Sequence, residues 1–130
     1  MRLGELRGLT SLPIPAVHEQ FRNEEVLTVL PAHEAATARE TLFVATLPHL
    51  AILTALQTPL GRWVTRWAPW DSVAVSEPAV FAGQEDVHRL DVFVAGQRFL
   101  VALPGEVGRK ARRDFVVAVR MSHRAQHAKP

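Results

Sequence analysis

Residues 90–102 constrain the fold of this chain more than any other segment. Leu90-Asp91-Val92-Phe93-Val94 and Arg98-Phe99-Leu100-Val101-Ala102 read as two strands joined across Ala95-Gly96-Gln97. A period of two puts Leu90, Val92 and Val94 on one face, with Asp91 and Phe93 on the other. Gly96 supplies a turn position that needs positive φ. Pro104-Gly105 ends the pair, and one helical stripe follows: Val107, Ala111, Phe115, Ala118 and Val119. Antiparallel strands closed by a single terminal helix point to a small sheet or barrel with one open end plugged. The rival is an extended ribbon over Phe115–Val119, which is β-prone.

The upstream chain supplies more strands. Pro15–Phe21 reads as a short helix with proline early and Val17 and Phe21 on one side. Val26–Leu30 is a strand, and Pro31 marks an edge or a bend. Residues 33–40 either continue that strand or form a helical turn. Thr41–Thr46 and Leu50–Thr54 are strands linked by Leu47-Pro48-His49. Thr58-Pro59-Leu60-Gly61 is a turn. Trp63, Thr65 and Trp67 alternate with Arg62, Val64 and Arg66 along the next strand. Strand Ser72–Ser76 follows Pro69-Trp70-Asp71, and residues 81–86 read as a polar loop. The expected organisation is an arm and short helix over 1–23 and one domain over 24–130. The expected fold is mainly β, a barrel or sandwich of two antiparallel sheets with a C-terminal capping helix.

Composition excludes several function classes. There is no cysteine, so disulfides, thiolate metal sites and cysteine nucleophiles are absent, and a reducing cytoplasm fits. No apolar run approaches the ~18 residues of a membrane-crossing helix, and the first residues lack the apolar stretch of a secretory signal. The net charge is +2, unevenly spread: from Gly105 onward seven basic residues face two acidic ones. That basic end suits phosphate or an acidic partner, or else forms a solvated helix face.

Three pieces together resemble bacterial pleckstrin-homology-like domains. Asn23-Glu24-Glu25-Val26-Leu27 stands ahead of Leu42–Thr46 and Leu50–Leu53, similar to the family's charged start and early hairpin. Trp70-Asp71-Ser72-Val73-Ala74-Val75 is similar to its short polar step into a strand. The closing hairpin with Asp114–Arg120 is similar to its terminal helix. The likeness spans residues 24–124 and implies two nearly orthogonal antiparallel sheets, seven strands in all, capped by one helix. It also implies a binding module for peptides, proteins or phospholipid headgroups. Phosphoinositide binders of the family carry a basic first hairpin loop. Read as Leu47-Pro48-His49, that loop has no lysine or arginine, which disfavours phosphoinositide. The N-terminal arm departs from the family pattern.

Catalytic patterns are missing. There is no glycine-rich phosphate loop and no nucleophile elbow. His123 and His127 are spaced i, i+4, short of a zinc ligand set, and read as exposed tail residues. Asp71 reads as a turn or capping acid. An enzyme using Asp71 or a histidine is the third-ranked reading, and no cofactor is expected. Trp63 and Trp67 read as inward core residues. Trp70, next to a turn, is the aromatic expected at the surface, with Arg62 and Arg66 near it; aromatics and arginines so arranged also suit stacking on single-stranded nucleic acid. The leading expectation is a noncatalytic, cytoplasmic interaction module that self-associates or docks a protein. Open sheet edges are expected near Pro31 or along Asp71–Ser76. The alternative is nucleic-acid or anionic-surface binding through Arg109, Lys110, Arg112 and Arg113 on the terminal helix.

Overall fold

The hairpin forms as its alternation requires. In the computed structural model, which describes residues 1–79, 83 and 86–127, strands β6 (Val87–Val94) and β7 (Gln97–Pro104) pair from Val87↔Pro104 to Val94↔Gln97. Ala95 and Gly96 both take positive φ, 49° and 86°. That is the turn whose twist matches its flanking strands. Leu90, Val92 and Val94 point inward beside Phe99, Val101 and Leu103, while Arg98, Ala102 and Pro104 face out. Helix α2 (Gly105–His127) follows at once, so the extended alternative for Phe115–Val119 is overturned. Ala111, Phe115, Ala118, Val119 and Ser122 form its buried stripe. Val107 does not belong to the stripe and is half exposed; Gly108 faces the sheet in its place.

The remaining strands are β1 (Val26–Glu34), β2 (Glu40–Thr46), β3 (Leu50–Ala55), β4 (Trp63–Ala68) and β5 (Val73–Ser76). Helix α1 spans Ile14–Gln20. All seven strands make one antiparallel sheet in the order β4-β3-β2-β1-β7-β6-β5. The expected mainly β fold with a C-terminal helix therefore holds. The sheet is open, not a barrel: β4 and β5 are its two ends and do not pair with each other. Pro69 and a 3₁₀ turn over Trp70–Ser72 carry the chain off the line of β4, so β5 begins against β6. β1 and β7 share only the pairs His33↔Leu100 and Glu34↔Phe99.

Two-sided burial explains the apolar runs of β2 and β3. Leu42–Ala45 and Leu50–Leu53 are buried almost without exception, the pattern of strands covered on both faces. On one face Phe43 meets Phe99 edge-on at 5.0 Å and Phe115 of α2 at 5.6 Å. The other face carries Val29, Val44 and Ala51, and is covered by residues 1–23. Leu6, Leu12, Val17 and Phe21 from that segment are all buried. Each such side chain contributes about 1.5–3 kcal/mol of burial. The Met1 amino group donates to Thr28 Oγ1 at 2.7 Å and to Asp114 Oδ2 at 2.9 Å, joining this segment to β1 and α2.

Pro31 sits inside β1, paired with Leu42. Val29 N–H donates to Met1 O, away from β2. N–H directions alternate along a strand, so Pro31 lacks its donor on that same side and β1 keeps its ladder with β2. The edge expected near Pro31 is thus occupied by Met1 at one end and by β7 at the other. β1 ends at Glu34, and residues 35–39 form the first hairpin turn, with Ala38 at φ 60°. This corrects the reading of Leu47-Pro48-His49 as the first hairpin loop: it links β2 to β3. The true first turn carries Arg39. Most of the expected polar loop, 81–86, lies outside the described residues. Of the pair His123 and His127, only the His123 side chain is described.

Candidate functional site

Trp70 is the largest correction. Expected at the surface, it is 0% exposed. The 3₁₀ turn swings its indole under the sheet, where Nε1 donates to Thr46 O at 2.9 Å. Its own carbonyl oxygen lies 2.8 Å from His123 Nε2. His123 is therefore a link between α2 and this turn and not a free tail residue. Trp70 belongs to the core and to no binding surface.

The other two tryptophans move the opposite way. Trp67 is 47% exposed and Trp63 is half-buried. Both lie on β4, the last strand of the sheet, where the end of α1 and the β2–β3 link cover them in part. Trp67 packs against Phe21 at 5.7 Å and edge-on against His49 at 4.3 Å. His49 is placed there by the β2–β3 link, which Thr46 Oγ1 closes by donating to His49 O. Gln20 bridges two β4 side chains: it accepts from Trp63 Nε1 at 2.8 Å and donates to Thr65 Oγ1 at 2.9 Å. Nothing local in the sequence marks Gln20 or His49 for these roles. Their partners lie far along the chain.

Among the described residues no strand pairs with the outer side of β4. Leu56 N–H donates to Arg62 O at 2.8 Å, which makes Leu56 and Arg62 a hydrogen-bonded pair. Alternation then directs the backbone groups of Val64, Arg66 and Ala68 to β3. Those of Trp63, Thr65 and Trp67 point outward, and among the described residues no strand meets them. Val64, 52% exposed, completes an apolar fringe with Trp67.

Arg66 is exposed on this same strand, and exposed Arg62 immediately precedes the strand. Arg66 is committed: Nη2 donates to Gln97 Oε1 at 2.7 Å, and Gln97 Nε2 donates to Glu34 Oε2 at 2.6 Å. These residues, with Arg39, Thr54 and Val64, line a depression of about 260 Å³ between the hairpin turns. Its lining carries two guanidinium groups, Arg39 and Arg66, against one carboxylate, Glu34.

The four basic residues expected to act together on α2 divide. Arg109, Lys110 and Arg113 face solvent, and exposed Arg120 and Arg124 extend that face by three more turns. Val117 and Met121 lie half exposed among them. Arg112 departs: it is only 26% exposed, and its guanidinium turns to Arg89 O at 3.5 Å and to Glu77 at 4.0 Å. At 100° per residue it sits on the flank of the helix, over the sheet. Arg109 pairs with Glu106 one turn earlier, and that hydrogen bond holds the Glu106 carboxyl below its ordinary range. Arg113 lies 3.8 Å from Asp114 Oδ1. No described helix is long and apolar enough to cross a membrane. Among the described residues no cluster of three or more histidine or acidic side chains is placed to hold a metal ion.

No protein family matches the sequence, and no curated protein does.

Proposed function

We propose that this chain is a noncatalytic, cytoplasmic interaction module of pleckstrin-homology-like type, with the free edge of β4 as its working surface. The type is supported by seven strands that divide four and three at the two-pair junction of β1 and β7, with α2 packed on β1, β5, β6 and β7. That division favours two crossed sheets over a single flat one.

One observation carries the functional reading: β4 combines outward, unpaired backbone groups with half-exposed Trp67 and Val64. Natural proteins blunt such edges with short strands, prolines, charged side chains or bulges. β5 is blunted in that way, being four residues long and followed by Glu77-Pro78. β4 has neither a proline nor a bulge, and its one charged side chain, Arg66, is hydrogen-bonded to Gln97. An edge with outward backbone groups beside an exposed aromatic suits recognition by strand addition, with backbone bonds giving affinity and the aromatic giving a side-chain anchor. A photo-crosslinking residue at position 67, irradiated in lysate of the source cells, should form discrete adducts. The same probe at exposed Glu25 is the control. Equal, diffuse labelling at both positions overturns the reading.

A second reading rests on a different observation, the cationic outer face of α2. Arg109, Lys110, Arg113, Arg120 and Arg124 there meet two acids, Glu106 beside Arg109 and partly buried Asp114 beside Arg113. That face suits an anionic surface or nucleic acid. Heparin retention that falls steeply with salt supports it. Retention unchanged by Arg113→Glu with Arg120→Glu removes it.

A further inference from the structure

We infer that the β4 edge pairs with the β4 edge of a second copy of this chain, antiparallel, with Thr65 opposite Thr65. The inference rests on the reading of β4 as the working edge and adds the occupant.

The backbone and the arginines together select this arrangement. A two-fold axis perpendicular to a continuous sheet pairs residues of one face with residues of the same face. Only outward-directed residues can exchange bonds, which leaves Trp63, Thr65 and Trp67. With Thr65 on the axis, all three find partners: Thr65 meets Thr65, and Trp63 meets Trp67 twice. Each pair exchanges two N–H···O bonds. Between these rows Val64 falls opposite Arg66. Shifting the register toward the N-terminus places Arg62 opposite Arg66 twice, and shifting it the other way places Arg66 opposite Arg66. Like charges directly opposite destabilise a ladder, so both alternatives are disfavoured. The selected register also brings the two indoles of each cross-strand pair onto one face, where aromatic pairs add stability. The edge is thus complementary to itself, as an interface built on a two-fold axis requires.

The absence of native cysteine makes the register readable. Val64→Cys and Arg66→Cys alter exposed side chains, and circular dichroism checks that each variant folds. In the proposed pairing these positions face each other across a non-hydrogen-bonded site, with Cα atoms roughly 4.5 Å apart, within disulfide reach. Two copies of the same variant meet only diagonally, roughly 7–8 Å apart. Under mild oxidation the mixture should therefore form a disulfide-linked dimer faster than either variant alone. Equal rates for the mixture and the single variants overturn the register. In the absence of cysteine substitutions, Val64→Glu places an acid opposite Arg66 twice and should tighten the dimer about two- to thirtyfold, and Val64→Lys should weaken it by a similar factor. Shifts of the same sign for both also overturn it. Sedimentation of the unmodified chain should show a concentration-dependent dimer. A chain that stays monomeric, while the probe at position 67 crosslinks to a protein of different mass, removes the second copy and leaves β4 as a working edge. A monomeric chain with no adduct above the control at position 67 removes both.

Discussion

Replacing Trp70 with phenylalanine tests whether the indole is a core hydrogen-bond donor. The side chain is fully buried, and Nε1 lies 2.9 Å from Thr46 O. Phenylalanine keeps most of the apolar contact but removes the donor. A buried acceptor left without its donor costs about 1–3 kcal/mol. The lost ring volume adds about 1 kcal/mol through incomplete collapse of the site. The sum is about 2–4 kcal/mol, a large share of the ~5–15 kcal/mol that holds a typical domain together. The contact between Trp70 O and His123 is made by the backbone and survives the change. With a urea slope of about 2 kcal/mol/M, the midpoint should fall by about 1–2 M, followed by far-ultraviolet circular dichroism. Iodide should quench the half-exposed Trp67 and spare Trp70. A loss below about 0.5 kcal/mol, the range of surface substitutions, refutes the argument.

Three other outcomes follow from the packing. Gly108→Ala should destabilise by about 1–3 kcal/mol in thermal melts although alanine is the better helix former, because the new Cβ would stand 2.3 Å from Leu103 O. Ser122→Ala should be neutral or stabilising by up to about 1 kcal/mol in the same melts, since the buried Ser122 hydroxyl has no hydrogen-bond partner among the described residues. Burial acts against the charge on Glu40 more than any other single influence. The Ser11 hydroxyl and N–H, the Thr10 hydroxyl and the charge of His33 together outweigh it and hold the carboxyl below its ordinary 4.5. The folded chain therefore releases this proton at lower pH than the unfolded chain does. The stabilisation is complete above pH 4.5 and is lost as pH falls through the folded value. Urea titrations at pH 6 and pH 3.5 should show Glu40→Gln losing less stability on acidification than the unmodified chain.

The local elements were legible because their causes are local. Gly96 after Ala95 and the alternation on either side define the β6–β7 hairpin. Apolar runs at Leu42–Ala45 and Leu50–Leu53 mark strands, and the stripe through Ala111, Phe115 and Ala118 marks the helix. Within residues 1–23 the short helix with Val17 and Phe21 on one side was legible, but residues 1–13 were not. Leucines recur there every third residue, at Leu3, Leu6, Leu9 and Leu12, a spacing that marks neither a strand nor an α-helix; only assembly on the outer face of the sheet buries Leu6 and Leu12. The closing of β1 against residues 35–39 was also hidden, since the turn rests on Ala38 at positive φ, a conformation alanine seldom takes. Of the candidate surface, Arg109, Lys110 and Arg113 share a helix face that spacing predicts. Arg112 was misjudged because its partners, Glu77 and Arg89 O, come from elsewhere in the chain.

What the residues determined unaided is which side chains share a face and where strands turn or helices begin. Those properties depend on dihedral preferences and on neighbours within a few positions. Which face is covered was decided only when the elements assembled. Trp63 and Trp67 alternate as core residues do, yet β4 came to lie outermost with little above it. Trp70 stands beside a turn, yet that turn folded it beneath Thr46. Burial depends on what packs opposite a side chain, and here those groups lie 20 or more positions away in sequence.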